Sequence, residues 1–321
     1  MANTITPFSN FDSAAREILS YLYQKLGFSL WMVTRTEGQN FILLKMEDHS
    51  YNLQEGTVLG WPDSFCYRMV RGEGPCVVPQ VSTVSAYCEL PIRQQIPIGA
   101  YIGVPMNLSD GSLFGSLCAI DPYPQPEDIQ EELPTVELLA KLLSTILENE
   151  LKCQEQARRL ERIEAEAMSD SLTALYNRRG WEKLLFAEES RCQSYGDPAG
   201  VIYIDLDNLK PINDTKGHAA GDQLIHDAAR TICSAVREQD IVARIGGDEF
   251  VVLGVNCNSQ QIEGLAKRIE TSLAKAGIEA SIGYASRHPS KGLGAACQEA
   301  DEKMYECKQG KKRNQLVASL E

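Results

Sequence analysis

Apolar residues repeat with different rhythms along this chain, and each rhythm predicts a different kind of element. Over 12–26, Ala15, Ile18, Leu19, Leu22 and Leu26 recur at helical spacing. Short apolar runs at 29–35, 40–45, 75–78, 100–106 and 112–120 read as strands, parted by turn signals such as Thr36-Glu37-Gly38 and Ser109-Asp110-Gly111. The last two runs, joined at Asp110-Gly111, predict a hairpin. Helix, strands and closing hairpin together predict a sensor-like α+β domain over 1–133 with an antiparallel sheet.

The rhythm then changes. Residues 122–134 are acidic and contain prolines, which marks a boundary, and Pro134 suits the first turn of a helix. From there to Met168 there is no glycine or further proline, so a linker helix is expected over 134–168. Leu139, Leu143, Ile146, Cys153, Ala157, Leu160 and Ala167 keep a 3-4 spacing that Glu150 and Glu164 interrupt. Such an imperfect heptad suits a two-stranded coiled coil of modest stability; the other reading is a single helix packed on one domain.

Over 169–321 helix and strand patterns mix. Trp181 begins an amphipathic helix reaching Arg191, and 200–205 is a buried strand that ends in Asp205. A polar stretch follows with Asp207, Asn208, Lys210, Asn213, Asp214, Lys216, His218 and Asp222. In 241–255, IVARIGGDEFVVLGV, two apolar runs flank Gly246-Gly247-Asp248-Glu249. Paired glycines there predict a tight hairpin, because both tolerate φ > 0, with room for a large group to approach the backbone. By itself such a tip is an ordinary solvated hairpin. If its strand neighbours the one ending at Asp205, however, the carboxylates share a site for a hard divalent cation and a triphosphate. The turn after Asp205 feeds a helix whose first N–H groups favour phosphate, and Lys210 adds a point charge. That is the acid geometry of phosphoryl and nucleotidyl transfer.

Composition narrows the choice. A net charge of −13 argues against a partner that is a nucleic acid polymer, but not against a metal-assisted nucleotide enzyme. No run of about 18 apolar residues predicts membrane insertion, and the N-terminus shows no secretory pattern. Ten scattered cysteines without a C-x-x-C pair suit reduced thiols in a cytoplasmic protein, and four histidines remote from any cysteine pair argue against zinc.

Particular motifs sharpen this. Gly99-Ala100-Tyr101-Ile102-Gly103-Val104-Pro105 followed by Leu113-Phe114-Gly115-Ser116-Leu117-Cys118 resembles the central hairpin of the GAF family. The resemblance covers about the first 150 residues and implies an unknown GAF ligand. Bilin attachment is not expected, because Cys66 precedes Tyr67 and Cys88 precedes Glu89 rather than histidine. His49 reads as a surface residue rather than a haem ligand. Cys66, Cys76, Cys88 and Cys118 are either redox-active or buried structural thiols, and the latter is the simpler reading.

The second half resembles the GGDEF family of diguanylate cyclases over 170–314. Its opening motif is similar at Asp170, Leu172, Thr173, Leu175, Asn177, Arg178 and Arg179, with Ala174 where glycine is usual. The middle motif is similar at Asp205, Asp207, Lys210, Asn213, Asp214, Gly217, His218, Gly221 and Asp222, with Leu209 and Pro211 as departures. The namesake motif stands at Gly246 to Phe250, and the closing one at Ala300, Asp301, Met304, Tyr305, Lys308 and Asn314. The resemblance implies a palm-type, nucleotidyl-cyclase-like mixed sheet with flanking helices.

It also implies an activity, joining two GTP into cyclic di-GMP with release of two pyrophosphates. Asp205, Asp248 and the Leu206 carbonyl would hold Mg²⁺ or Mn²⁺, supported by Glu249. Asp248 would serve as base and Lys210 would stabilise charge. Asn213 and Asp222 would read guanine, assisted by His218. Gly246 and Gly247 would admit the nucleotide, and Lys308 with Lys312 would reach the terminal phosphates, Lys311 and Arg313 being the alternatives to Lys312. Arg237-Glu238-Gln239-Asp240 resembles the family's inhibitory product site, with Arg268 as a second arginine. Two subunits face to face are implied, hence a homodimer. The rivals are a receptor that only binds cyclic di-GMP and a cyclase making another dinucleotide. The intact Gly246 to Glu249 oppose the first, and Asn213 and Asp222 oppose the second.

Overall fold

The computed structural model describes residues 6–166 and 168–318. Its contacts divide the chain into one compact unit of 1–157 with 194–196 and another of 158–193 with 197–321. Among the described residues no helix is long and apolar enough to cross a membrane.

The first unit opens with α1 (Phe11–Leu26), capped by Asn10 and Ser13 in a reciprocal capping box. Then come β1 (Leu30–Glu37), β2 (Asn40–Asp48), β3 (Val58–Gly60), α2 (Phe65–Val70), β4 (Val77–Val78), α3 (Ser85–Cys88), α4 (Ile92–Gln95), β5 (Ala100–Asn107) and β6 (Leu113–Asp121). The strands form one six-stranded sheet in the order β3-β2-β1-β6-β5-β4, with every ladder antiparallel. Both faces are covered, which is why β1 and β6 read as continuous apolar runs rather than alternating ones. Trp31 and Val33 join Leu19 and Leu22 of α1 on one face, while Leu30 and Met32 meet Phe65 and Tyr87 on the other. Of the short elements between β2 and β5, β4 falls within the run read at 75–78, whereas β3, α2, α3 and α4 were not legible as pattern, because each is too brief to show a period.

The long helix α5 (Leu133–Glu166) confirms an uninterrupted helical stretch. Its seam needs a correction. Val136, Ala140, Leu143 and Leu147 are buried in the core of the first unit, so Leu143 is a packing residue there and not free for a coiled coil. Leu138, Leu142, Leu160 and Ile163 are the exposed apolar positions of the helix. Ala167 lies outside the described residues.

In the second unit follow α6 (Arg178–Tyr195), β7 (Ala199–Leu206), α7 (Leu209–Lys216), α8 (His218–Ala235), β8 (Ile241–Arg244), β9 (Glu249–Val255), α9 (Ser259–Lys275), β10 (Ala280–Ser286) and α10 (Gly292–Ala318). A four-stranded sheet runs β10-β7-β9-β8. All three of its ladders are antiparallel, and the parallel component is the single bridge Tyr176–Ala243 beside β8. One face packs on Ile225 and Ile232 of α8 and Ile262 and Ile269 of α9; the other packs on Trp181 and Leu184 of α6 and Ala296 and Ala300 of α10. At Gly283 a Cβ would stand 2.1 Å from the Ala300 carbonyl oxygen, so α10 lies directly on β10 only because that position has no side chain.

Candidate active site

β7 and β9 are hydrogen-bonded neighbours, with Asp205 opposite Glu249. The Leu206 N–H donates to the Asp248 carbonyl at 2.9 Å, which locks the end of β7 to the hairpin tip. The two acidic clusters are therefore one site. Asp205 is buried, and burial together with the nearby charges of Asp248 and Asp207 raises its carboxyl above the usual range against the opposing pull of Lys308. The Lys308 ammonium bonds both Asp205 oxygens, at 2.6 and 2.7 Å. Burial works against the Lys308 charge, but Asp205 outweighs it and the ammonium is held above its ordinary value. One turn further along α10, Lys311 bonds Asp207 at 2.9 Å and the Ala280 carbonyl at 2.6 Å, and Ser281 also donates to Asp207. The side chain of Lys312 lies outside the described residues, and Arg313 is exposed.

The glycine pair acts differently from the expectation. Neither Gly246 nor Gly247 has positive φ. Gly246 is needed for space: a Cβ there would meet a Glu249 carboxylate oxygen at 2.3 Å, whereas a Cβ on Gly247 would point into open space. The tip is held by arginines instead. Arg178 donates to the Ile245 carbonyl at 2.9 and 3.1 Å. Arg244 donates to the Gly247 carbonyl at 2.9 and 3.3 Å and pairs with Asp170 at 3.1 Å. Burial opposes the Asp170 charge, but Thr173 and Arg244 outweigh it and hold that carboxyl below its ordinary value. Arg244 was missed in the sequence; its signal was its place at the exit of a strand, two residues before the glycines.

On the other side of the cluster, α7 begins after Asn208, which is left-handed at φ 65° and offers no side-chain cap. Pro211 falls within the first turn, where its missing N–H costs nothing. Lys210, His218 and Asp222 are exposed. Asn213 packs against the start of α8, where a Cβ at Gly221 would meet its Oδ1 at 1.9 Å, and that buried Oδ1 has no hydrogen-bond partner. An unsatisfied acceptor beside Asp222 is a place for a donor-rich ligand edge. Ala174, where the resemblance expects glycine, sits at φ 58°, a left-handed conformation that an L side chain rarely adopts.

The Arg237–Asp240 turn is separated from the glycine pair by five residues. The Asp240 carboxylate accepts from the Arg237 N–H at 2.9 Å and the Val255 N–H at 3.3 Å, so it braces the turn it belongs to. Burial pushes the Cys257 thiol up to about 11, with Asp240 raising it and Arg237 and Arg268 lowering it. Arg268 donates to the Ala235 carbonyl at 2.5 Å. Arg237 and Asp240 line a cavity of about 470 Å³ with Leu175, Tyr176, Cys233 and Val242. Arg162 of α5 donates to the carbonyls of Glu238 and Gln239, the two middle residues of the turn. No feature of the sequence indicated that contact.

A buried strand-end acid beside a Gly-Gly-Asp-Glu tip, on an antiparallel sheet covered by helices, defines a nucleotidyl-cyclase type of site. Residues 167–315 match the family described as diguanylate cyclase, GGDEF domain, and residues 10–147 match the GAF domain. The chain belongs to the GAF–GGDEF diguanylate cyclases. It is similar to the diguanylate cyclase DgcP of Escherichia coli (strain K12), with 24% identity over 331 residues covering 99% of this chain and 96% of DgcP. The cyclic di-GMP phosphodiesterase PdeR of the same strain is 36% identical over 166 residues, 49% of this chain and 25% of PdeR. Among solved structures, the GGDEF domain of DgcB from Caulobacter crescentus in complex with c-di-GMP is 26% identical, covering 45% of this chain and 91% of that one with a TM-score of 0.42. A sensory box/GGDEF family protein from Caulobacter crescentus CB15 is 35% identical, with coverage of 44% and 99% and a TM-score of 0.41.

Proposed function

We propose that this protein condenses two GTP into cyclic di-GMP, releasing two pyrophosphates, under the control of its GAF domain. The observation that carries the reading is the β7–β9 pairing that sets Asp205 beside Asp248. The donor set fits Mg²⁺ or Mn²⁺. Asp205 is a buried carboxylate burdened by two neighbouring acids, and a divalent cation relieves that repulsion. Among the described residues no three His, Cys, Asp or Glu side chains form a ready-made cage. That suits an ion held by one or two carboxylates and completed by substrate phosphates and water. Bound there, the ion would neutralise phosphate charge and make the 3′-hydroxyl more acidic.

The remaining work belongs to the chain. Asp248 accepts the proton of the attacking 3′-hydroxyl, and Lys210 stabilises charge on the phosphate. Gly247, open on its Cα, lets the nucleotide reach the tip, while Gly246 makes room for Glu249. Asn213 Oδ1 and Asp222 accept from the N–H groups of guanine, and His218 borders that subsite. Lys308 and Lys312 neutralise the terminal phosphates, with Lys308 poised on Asp205 beforehand. Product returns to Arg237, Asp240 and Arg268 as an inhibitor, supported by the cavity that Arg237 and Asp240 line. GTP places the work in the cytoplasm.

Each site holds one GTP, so forming two bonds requires a homodimer. We assign 1–133 to sensing, 134–168 to the linker and 169–321 to catalysis, with Leu138, Leu142, Leu160 and Ile163 as exposed apolar positions for a second copy. Incubation with Mg²⁺ and GTP, followed by mass spectrometry, tests the reading: cyclic di-GMP is expected. Binding of cyclic di-GMP without synthesis would identify a receptor, and a product containing adenine would identify a different cyclase.

A further inference from the structure

Four charged groups at the end of β7 are paired in two rungs. Lys308 and Lys311, one turn apart on α10, reach Asp205 and Asp207. The rungs differ in what else they touch. Asp207 accepts from Ser281 on one oxygen and from Lys311 on the other, and its N–H donates to the Glu279 carbonyl at 2.9 Å. Lys311 also donates to the Ala280 carbonyl. That rung is fixed from several sides. Asp205 is different. Among the described residues its carboxylate has one hydrogen-bond partner, the Lys308 ammonium, which bonds both oxygens at 2.6 and 2.7 Å and has no other partner itself. Asp205 is only 6% exposed, so its charge needs that answer.

The proposed function puts a divalent cation on the same carboxylate. A dication and an ammonium on one buried carboxylate repel each other at close range. The ammonium is the one free to move, for lysine carries a point charge on a flexible four-carbon stem. Lys308 is also partly exposed and has no second anchor of the kind that holds Lys311. An arginine would grip both oxygens with a rigid fork and suit an exchange less well.

We infer that Lys308 stands in for the divalent cation: it neutralises Asp205 until nucleotide binds, then yields the carboxylate and moves to the nucleotide's phosphates. The inference rests on the cyclase reading and adds an order of events to it. The cation alone binds weakly, because it displaces an ammonium that has no other anion to go to. Nucleotide supplies that anion. Asp205 then exchanges one positive partner for another, and Lys308 exchanges one negative partner for another, so neither charge is left bare. Cation and nucleotide thereby strengthen each other's binding, and by linkage the effect is reciprocal.

The test is titration of the full chain with Mn²⁺ in the absence of nucleotide, read from the EPR signal of the free ion. Adding Asp205→Asn to each variant identifies the ion that belongs to this carboxylate among those held by other acids. Lys308→Met should bind that ion at least about tenfold more tightly than the wild type, since one opposite charge nearby changes a carboxylate's affinity for a proton by that factor or more. Lys311→Gln removes an equal charge one turn along α10 and should change the affinity much less. Equal affinity in Lys308→Met and the wild type would overturn the inference. So would an equal rise in Lys311→Gln, which would reduce Lys308 to background charge. Should Lys308→Met fail to fold, Lys308→Gln carries the same expectation. A GTP analogue with a methylene group between the α- and β-phosphorus should tighten Mn²⁺ binding more in the wild type than in Lys308→Met, and an equal gain would overturn the transfer to phosphate. These readings need no turnover, so a protein that makes no cyclic di-GMP would count against the proposed function and not against the exchange.

Discussion

The two sheets of this protein place polar chemistry in opposite positions. In the first unit Thr34, Ser116 and Cys118 stand mid-strand, covered by helices on both faces, and their groups are neutral and satisfied by one another. In the second unit Asp205 stands at the close of β7 and Glu249 at the start of β9, where charges accumulate until Lys308 and Lys311 answer them. Both sheets are antiparallel and packed on both sides. Position along the strand decides the chemistry. A mid-strand polar group has no access to water and must be neutral or paired, whereas a strand end can hold charge because solvent and ligands reach it.

The comparison breaks most sharply at the acids. Asp205→Ala or Asp248→Ala is expected to lower GTP turnover by about a thousandfold, the order seen when a preorganised charge-stabilising group is lost. Pyrophosphate release measures this. Mg²⁺ should raise the thermal midpoint of the wild type and not that of Asp205→Ala. Full turnover in either variant would end the enzymatic reading.

Next is the helix that leaves the first unit. Leu143→Glu buries an unpaired charge in the core and should destabilise that unit by about 3 kcal/mol or more, while Leu160→Glu should change monomer stability by about 0.5 kcal/mol at most. Denaturant titration separates them, and Leu160→Glu together with Ile163→Glu should still abolish turnover by keeping subunits apart. Equal destabilisation by the two single changes would show that the buried face of α5 is misassigned.

A smaller effect tests the neutral line in the first sheet. Thr34→Val leaves the Ser116 N–H, now bonded at 3.1 Å, without that acceptor. The expected cost is about 1–3 kcal/mol in the unfolding of the first unit. A variant as stable as the wild type would mean that the buried polar line adds nothing to this core.

The smallest prediction concerns Ala174. Its φ of 58° is strained for alanine, so Ala174→Gly should stabilise the second unit by about 0.5–1 kcal/mol, after allowing for the added freedom of the unfolded chain. A lower thermal midpoint in this variant would contradict the strain.

Much of this was legible in the linear chain. The strand ending at Asp205, the hairpin around Gly246, the long glycine-free helix and the motif residues all rest on local spacing, which the backbone periods make visible. The hairpin was found for an incomplete reason, since its glycines provide space rather than positive φ. Leu143 was assigned to the wrong partner because helical spacing shows that a face is apolar and not what covers it. Arg244 and Arg178 were given no role at the tip, and Lys311 was weighed only as a phosphate contact, for an arginine or lysine looks alike in sequence whether solvated or clamped to a carbonyl.

The order of residues alone determined the periods, the turns and the inventory of acids, bases and thiols, because these follow from neighbours within a few positions. Only the folded chain decided that Asp205 meets Asp248 and Lys308, and that Thr34 meets Ser116. Those meetings depend on strand order and register, which join distant segments. They are settled by the packing of whole faces rather than by any short stretch of sequence.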